Sequence, residues 1–304
     1  MEQHELTDEE LWNVIQIATG SEKAESFFEL GRRAYEKGDS KSSLAFCEVA
    51  LQEARSLVFG FESYLTGSIL LGMSYSLREL QRHEKAAFAA EEAADKLGSH
   101  GDAERVHALI NAGHFWYTAE KWSNSISCYE RAIAEINHNT DPELLSEVQA
   151  HHGFSLMQMS LWSQALESFS GSLAFHSKSL NLAGMAQCEH EISHAYGKLN
   201  DWGSSFAHAT SSLEHATQAS NLTRIAWARL RLGQALKGLG KNEDALAQFT
   251  TAKTLMAESK CIGFLEMVRC DEEIIELLVV LNRADEANEI QRRLLSVREI
   301  LCDD

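Results

Sequence analysis

The residues that could carry out chemistry are concentrated in one stretch, HEISHAYGKLN, which runs from His190 to Asn200. His190 and His194 are four residues apart, so on a helix both imidazoles lie on one face and could hold a single zinc ion. Glu191 could then act as the general base that activates a zinc-bound water. The stretch therefore raises the hypothesis of a zinc-dependent hydrolase centred on residues 190–194.

A hydrolytic zinc site needs a third protein ligand, and this stretch does not supply one. In one class of zinc protease the third histidine follows the glycine of the motif by three residues. Here the glycine is Gly197 and that place holds Asn200, which is a poor zinc ligand. Another segment would have to provide the ligand, and the candidates are His151, Glu147, His208 and His215. We predict no cofactor, and His190 and His194 remain the alternative metal pair.

The sequence is strongly acidic, with 45 aspartates and glutamates against 27 lysines and arginines and a formal net charge of −18. Nucleic acids and anionic membrane surfaces are bound through patches of Lys and Arg, and the sequence has no local run of these residues. We therefore predict that neither nucleic acid nor a membrane is a partner. The acidic balance favours solubility or a basic partner.

No segment has the pattern of a targeting sequence or a membrane span. The N-terminal stretch MEQHELTDEELW is polar and acidic, and the longest apolar run, IIELLVVL, is far shorter than the roughly 20 residues that a span needs. We expect a soluble, cytoplasmic protein and make no prediction of its oligomeric state. The cysteines lack a C-x-x-C pair, which is typical of reduced, buried thiols; they are Cys47, Cys128, Cys188, Cys261, Cys270 and Cys302.

The surroundings of the HEISH motif recur along the chain. Eleven-residue windows that begin at 110, 150, 190 and 230 read INAGHFWYTAE, AHHGFSLMQMS, HEISHAYGKLN and LRLGQALKGLG. Tryptophans follow at the same 40-residue spacing, at Trp122, Trp162 and Trp202, and we expect them to pack between helices. The fourth residue of each window is small and the seventh is large: Gly113, Gly153, Ser193 and Gly233, then Trp116, Leu156, Tyr196 and Leu236.

Each repeat has the pattern of two helices. The chain contains only one proline and 18 glycines, which favours helix throughout. Two runs with 3.6-residue periodicity are separated by a short polar break such as EKWS, NDWG or GKNED, and small residues at fixed places would let the two helices approach closely. In TDPELL, Asp141 is the expected N-cap and Pro142 the first helical residue. One pair cannot bury its apolar face alone, so the pairs must stack on one another.

These letters resemble the tetratricopeptide repeat (TPR) family, in which a small-x-x-aromatic pattern is followed by a turn and then by Ala or Ser, an aromatic residue and Ala. LGQALKGLGKNEDALAQFTTA, at 232–252, is the closest match, and the resemblance covers about residues 24–300. It implies an all-α, right-handed α-solenoid of about seven repeats over residues 23–304, with a capping helix in 1–22. The repeats would start near 24, 65, 106, 146, 186, 226 and 267. A 40-residue period exceeds the usual 34 and implies lengthened helices.

The resemblance also places a binding groove. In this family the positions equivalent to 190, 191 and 194 line the concave surface, so Leu70, Ile110 and Leu230 are expected there as well. Amide, imidazole and aromatic side chains on such a surface suit an extended peptide. The predicted groove residues are His107, Asn111, His114, Glu147, His151, Phe154, Gln187, His190, Glu191, His194, Trp227, Arg231 and Gln234.

Three hypotheses of function follow. The first is a non-enzymatic scaffold or adaptor that docks a protein or peptide segment in this groove. A narrower version is a regulator that senses peptides and resembles Rap-type receptors. Those receptors carry an additional N-terminal effector bundle or DNA-binding domain, whereas about 22 residues precede the first repeat here, so we do not expect an effector function of that kind. The alternatives are the zinc-dependent hydrolase and a structural oligomer built by end-to-end stacking.

Overall fold

The computed structural model describes residues 6–56, 62–98, 103–136, 141–259 and 264–302. These residues form fifteen α-helices and, within the described ranges, no strand. The all-α prediction is confirmed. The chain divides into two compact units, Met1–Met159 and Ser160–Asp304, which we call the N-terminal and C-terminal units.

Within each unit every helix packs against the next one along the chain, in the manner of an α-solenoid. In the N-terminal unit the helices are α1 Asp8–Ile17, α2 Ser21–Glu36, α3 Ser40–Arg55, α4 Glu62–Glu79, α5 His83–Lys96, α6 Ala103–Thr118, α7 Trp122–Glu135 and α8 Pro142–Gln158. In the C-terminal unit they are α9 Trp162–Lys178, α10 Leu182–Lys198, α11 Trp202–Gln218, α12 Leu222–Gly238, α13 Asn242–Ser259, α14 Phe264–Val280 and α15 Ala284–Cys302.

We call α2, α4, α6, α8, α10, α12 and α14 the A helices, and the helix that follows each of them its B helix. In the C-terminal unit α10 packs against α9, α11 and α12, and α12 also packs against α13. The A helices begin three or four residues before the predicted repeat starts. The division into a capping helix and an array of seven repeats stays a prediction.

Polar side chains fix where the helices begin. Asp141 accepts a hydrogen bond from the backbone N–H of Leu144, and Pro142 is the first residue of α8, as its sequence predicts. In the C-terminal unit Asn181, Asp201 and Asn221 act in the same way at the starts of α10, α11 and α12. Because each cap satisfies a backbone donor that the first turn leaves free, these three helix starts are well defined.

Turns between A and B helices share one backbone conformation. Glu120, Asn200 and Gly240 follow the A helices α6, α10 and α12, and all three have positive φ, at 59°, 61° and 74°. The next residue donates its N–H to a carbonyl five residues back, as Asp201 does to Tyr196 at 3.0 Å. This is the left-handed helix ending that glycine favours, so a side chain there costs about 1 kcal/mol.

The small residues of the repeat permit close approach of the two helices in a pair. A Cβ added to Gly113 would lie 2.6 Å from Cε1 of Tyr129, and one added to Gly233 would lie 3.1 Å from the Phe249 ring. Tyr129 and Phe249 are fully buried, so each glycine face is filled by an aromatic ring. The predicted close approach of the two helices is confirmed at these glycines.

Where the small residue is serine, it also bonds across the pair. Ser193 donates its Oγ–H to the carbonyl of Ser205 at 2.8 Å, and Ser205 donates to the carbonyl of Ser193 at 2.9 Å. All of these atoms are buried, so the hydroxyl groups are satisfied without water. This pair fixes α11 against α10, the helix that carries the HEISH motif.

The described cysteines are buried, as the sequence predicts. Cys47, Cys128, Cys188 and Cys270 are free and buried, and burial raises the pKa of the thiols of Cys47, Cys128 and Cys270 to about 12. Cys261 and the Cys302 side chain lie outside the described residues. Within the described ranges, no helix has both the length and the apolar character that crossing a membrane requires.

Candidate functional site

The predicted groove residues lie on A helices, at spacings of three or four that bring those of each helix to one face of that helix. On α6 and α8, in the N-terminal unit, they are His107, Asn111, His114, Glu147, His151 and Phe154. On α10 and α12, in the C-terminal unit, they are Gln187, His190, Glu191, His194, Trp227, Arg231 and Gln234. That the two groups belong to one groove stays a prediction.

The N-terminal group contains contacting rings. The centroids of the His114 and His151 imidazoles are 4.4 Å apart, edge to face, and the Phe154 ring lies 6.3 Å from His151. Asn111 donates from Nδ2 to the Tyr75 hydroxyl at 2.9 Å. Burial, and then the neighbouring His151, lowers the pKa of His114 to about 4, so this ring is neutral at physiological pH.

The other two members of the N-terminal group lie further out. His107 is exposed and lines a cavity of about 440 Å³ whose walls include Phe28, Tyr35 and Tyr75. Glu147 is also exposed, and its carboxylate lies 4.0 Å from the His151 ring, one helical turn away. His107 and Glu147 therefore lie near the contacting rings but are not part of the ring contacts.

The C-terminal group surrounds two cavities, and Arg231 lines both. The first, about 430 Å³, is lined by His194, Gln234, Trp202, Lys237 and Glu273, and we call it the Trp202 cavity. The second, about 440 Å³, we call the cationic cavity; it is lined by Gln187, His190, Glu191, Arg224, Trp227, Arg231 and Arg269. All seven predicted residues of this unit line one cavity or the other.

Hydrogen bonds from two arginines connect α10 and α12. Arg231 donates from Nε to His190 Nε2 at 3.2 Å and from Nη1 to Gln234 Oε1 at 2.8 Å. Arg224, on the same helix, donates from Nη2 to Gln187 Oε1 at 3.0 Å. The guanidinium groups and their amide and imidazole partners therefore hold one another in fixed positions on the cavity wall.

Burial sets the charges in this site. It lowers the pKa of His190 well below its ordinary value, with the Arg231 charge as the next cause, and it lowers that of His194 to about 3. It raises the pKa of Glu191 to about 7, against the opposing effect of Arg231 and Arg224, and lowers that of Arg231 to about 10. At neutral pH the two imidazoles are uncharged and Arg231 is cationic.

The geometry opposes a metal ion on His190. Its Nε2 lone pair already accepts a hydrogen bond from a guanidinium group, and a second cation there would be repelled. His208, a candidate third ligand, is bonded through Nδ1 to Glu189 at 2.5 Å, and Asn200 forms the left-handed turn. Among the described residues, no group of three His, Cys, Asp or Glu side chains is placed to hold a metal.

One part of the groove prediction is wrong. Leu70, Ile110 and Leu230, expected on the groove, are only 3%, 6% and 7% exposed and belong to the hydrophobic cores. Each precedes the groove-facing position by one residue. A step of one residue rotates a side chain by about 100° around the helix, which turns it from the surface into the core.

The sequence analysis also missed cavity residues. They are Arg224, Trp202, Lys237, Arg269 and Glu273. Arg269 and Glu273 could have been found from the repeat, because they follow the groove residues Trp227 and Arg231 by 42 residues. A search at the usual spacing of 40 residues misses them. α13 is one residue longer than α11, and four residues rather than three separate it from the next A helix, so the register of the final repeat shifts by two residues.

Comparisons of the sequence alone find no relative: no family model matches, and no curated protein matches significantly. Solved structures do match. The C-terminal part of a TPR repeat-containing protein from Cytophaga hutchinsonii aligns with a TM-score of 0.59 and 11% identity, over 86% of this chain and 92% of that one. The Rap protein complexed with Competence and Sporulation Factor aligns with a TM-score of 0.56 and 16% identity, over 90% and 75%.

A third match is YrrB, described as a TPR protein with an unusual peptide-binding site. Its TM-score is 0.53 and its identity 14%, over 70% of this chain and 96% of that one. At these identities the likeness shows the fold alone. The chain has the TPR-type helical repeat fold, which confirms the resemblance drawn from the repeat letters.

Proposed function

We propose that this chain is a non-enzymatic scaffold that docks an extended peptide or protein segment on the face of its A helices. The observation that carries the proposal is the pair of cavities that share Arg231. Each has the volume of a site for one or two side chains, and polar groups are combined with aromatic surface around them. The narrower form of the proposal is a cytoplasmic regulator that senses peptides.

The amide side chains of the site are suited to hold a peptide backbone. Gln187 and Gln234 each use their Oε1 to accept from an arginine, which turns the Nε2 group of each amide to the other side. Each Nε2 keeps two N–H donors, and an extended peptide offers carbonyl groups along its whole length. The arginines therefore orient the two amides before any ligand arrives, which reduces the entropy lost on binding.

Two of the structural neighbours support this class of function. YrrB is described with a peptide-binding site and the Rap protein in complex with Competence and Sporulation Factor, and both have the same fold as this chain. The non-enzymatic part of the proposal is supported by the bond between Arg231 and His190, which occupies the ligand atom of the HEISH motif.

A peptide-display selection tests the proposal. Random twelve-residue peptides would be selected on the immobilised protein, and the affinities of the enriched peptides measured by fluorescence anisotropy. We expect Gln187→Ala/Gln234→Ala to weaken them about tenfold or more, the loss of one or two hydrogen bonds. Gln164→Ala/Gln218→Ala, at exposed positions on B helices, is the matched control and should leave them unchanged.

Either of two results would overturn the proposal: no enriched peptide at all, or equal losses in both double variants. Circular dichroism would verify that all variants are folded. Metal analysis of the purified protein tests the non-enzymatic part separately, because stoichiometric zinc that is lost in His190→Ala would restore the hydrolase hypothesis.

A further inference from the structure

The arginines of the cationic cavity differ from most others in the described chain. Elsewhere guanidinium groups generally pair with carboxylates, for example in the contacts Arg33–Asp8 at 2.9 Å, Arg105–Glu135 at 3.0 Å and Arg131–Asp95 at 2.7 Å. Arg224, Arg231 and Arg269 form no ion pair within 4.0 Å with any described residue. In a chain with 45 acidic and 27 basic residues, three arginines without a carboxylate partner on one cavity are a marked local reversal of charge.

The cavity carries a net positive charge. Three guanidinium groups face it from α12 and α14, and Glu191 is the one acidic side chain among its lining residues. The partners of Arg231 are an imidazole and an amide, and the partner of Arg224 is an amide, so these hydrogen bonds do not neutralise the two cations. The single Glu191 carboxylate can offset only one of the three positive charges. A desolvated cation without a counterion is costly, and an anion that enters the cavity would offset that cost.

The same arginines are positioned to bind an anion. Arg231 is fixed by two hydrogen bonds and Arg224 by one, and these bonds leave further N–H groups of both residues unused within the described structure. Planar guanidinium groups held in this way match the two oxygens of a carboxylate. A phosphate is a poorer fit, because its second negative charge would face Glu191 across the same cavity.

We propose that the cationic cavity binds the carboxylate of an aspartate or glutamate in the docked peptide, and that the Trp202 cavity takes a large apolar side chain of the same peptide. This inference rests on the proposed function. The Trp202 ring lies against the faces of Gly197 and Gly238, and the Lys237 ammonium is neutralised by Glu273 at 2.6 Å. Arg231 is the one arginine that lines the Trp202 cavity, whereas three arginines line the cationic cavity.

The two cavities fix an approximate spacing between these peptide residues. They follow one another along α12, with Arg224 and Trp227 lining one and Gln234 and Gly238 the other. Gln234 follows Trp227 by seven residues and Arg224 by ten, which along a helix is about 10 to 15 Å. An extended peptide rises by about 3.3 Å per residue, so the acidic and apolar residues would be about three or four positions apart.

The selected peptides test this inference directly. We expect enrichment of Asp or Glu three or four positions from a large apolar residue. Changing that acid to its amide should weaken binding about tenfold to the wild-type protein, and about twofold or less to Arg224→Gln/Arg269→Gln, which has already lost the partners of the carboxylate. The matched control is Arg292→Gln, an exposed residue of α15, in which the tenfold effect should persist.

The outcomes separate this inference from the proposed function. Peptides that bind at the Gln187/Gln234 surface but show no acidic preference would overturn the inference and leave the scaffold in place. The inference would also be overturned if the change from acid to amide weakened peptide binding equally in the wild type and in Arg224→Gln/Arg269→Gln. A phosphoserine peptide that binds more than about tenfold tighter than its aspartate counterpart would assign the cavity to phosphate instead. A selection without any bound peptide would remove the scaffold and this inference together.

Discussion

Arg231 donates a hydrogen bond from Nε to Nε2 of His190, 3.2 Å away on the neighbouring A helix. The bond requires an unprotonated Nε2, so the His190 imidazole is neutral with its proton on Nδ1. The residue that looks like a zinc ligand in the sequence is therefore an acceptor that positions an arginine. This hydrogen bond joins α10 to α12. It gives His190 a role in positioning a cation of the cationic cavity, which differs from the metal-binding role that the HEISH motif suggests.

Replacing Arg231 with methionine should raise the pKa of His190. The cation that disfavours a second charge is removed, while burial, the larger cause of the lowered pKa, remains, so the pKa should stay below its ordinary value. Nuclear magnetic resonance titration of ¹⁵N-labelled histidine checks this. Arg292→Gln on α15 is the control, and an unchanged His190 titration in Arg231→Met would contradict the assigned contact.

Replacing Glu191 with glutamine should stabilise the protein at high pH. The pKa of Glu191 is raised to about 7 in the folded state, mainly by burial, from 4.5 in the unfolded chain. The folded state therefore binds more protons than the unfolded state between these values, and the wild type loses stability as pH rises from about 4.5 to about 7. The variant lacks this loss, which is of the order of 2 kcal/mol.

Urea unfolding at pH 5 and pH 8 measures this difference. The variant should gain on the wild type as pH rises, whereas Glu167→Gln, at an exposed position, should differ from the wild type by the same small amount at both values. The opposite result, in which the variant loses free energy of unfolding relative to the wild type as pH rises to 8, would show that the neighbouring arginines stabilise the Glu191 carboxylate more than burial penalises it.

Gly113→Ala should destabilise the N-terminal unit by about 1 to 3 kcal/mol, the usual effect of overpacking a core. In an open helix the same change would stabilise by about 1 kcal/mol, but here the new methyl group would lie 2.6 Å from buried Tyr129. Gly233→Ala is the matched comparison, because its methyl group would lie 3.1 Å from Phe249 and should cost less. Denaturant unfolding followed by tryptophan fluorescence checks the order, and a gain in stability for Gly113→Ala would contradict the packing described.

Asn221→Ala should loosen the start of α12. The Asn221 side chain accepts from the N–H of Arg224 at 3.1 Å, and removal of such a cap costs about 1 kcal/mol. Backbone amides of the first turn should exchange with deuterium several times faster, as local opening becomes easier. Asn288→Ala, exposed in the second turn of α15 and not a cap, is the control. Equal exchange of the α12 amides in both variants would mean that the Asn221 cap contributes nothing.

The fold could be predicted because its determinants are local and repeated. Gly113, Ser193 and Gly233 recur at fixed spacing since a larger side chain would separate the two helices of a pair, and Pro142 after Asp141 marks a helix start on its own. The crossed hydrogen bonds of Ser193 and Ser205 were beyond reach of the pattern. A small residue at such a position predicts close approach, but not the direction of a hydroxyl group.

The candidate site could be predicted in part, and for a different reason. Spacing of three and four placed Gln187 and His190 on one face of α10, and Trp227 and Arg231 on one face of α12; the structure brings all four to the cationic cavity. The prediction from spacing failed for Leu230, which is buried, because side chains of neighbouring helical residues point about 100° apart. It missed Arg269 because the register of the last repeat shifts. The positive charge of the cavity could not be predicted from a net charge of −18, since a sum over the chain carries no information about position.

The left-handed turns also bear on how such a chain can change in length. Asn200 and Gly240 end their A helices with the same backbone geometry, and each is followed by the same five-residue return bond, to Tyr196 and to Leu236. A duplication or deletion with its breakpoints at equivalent turns would join two ends that already fit. The 40-residue block is thus a unit that recombination can add or remove as a whole. The number of A helices can change in this way while every turn between helices keeps its backbone geometry.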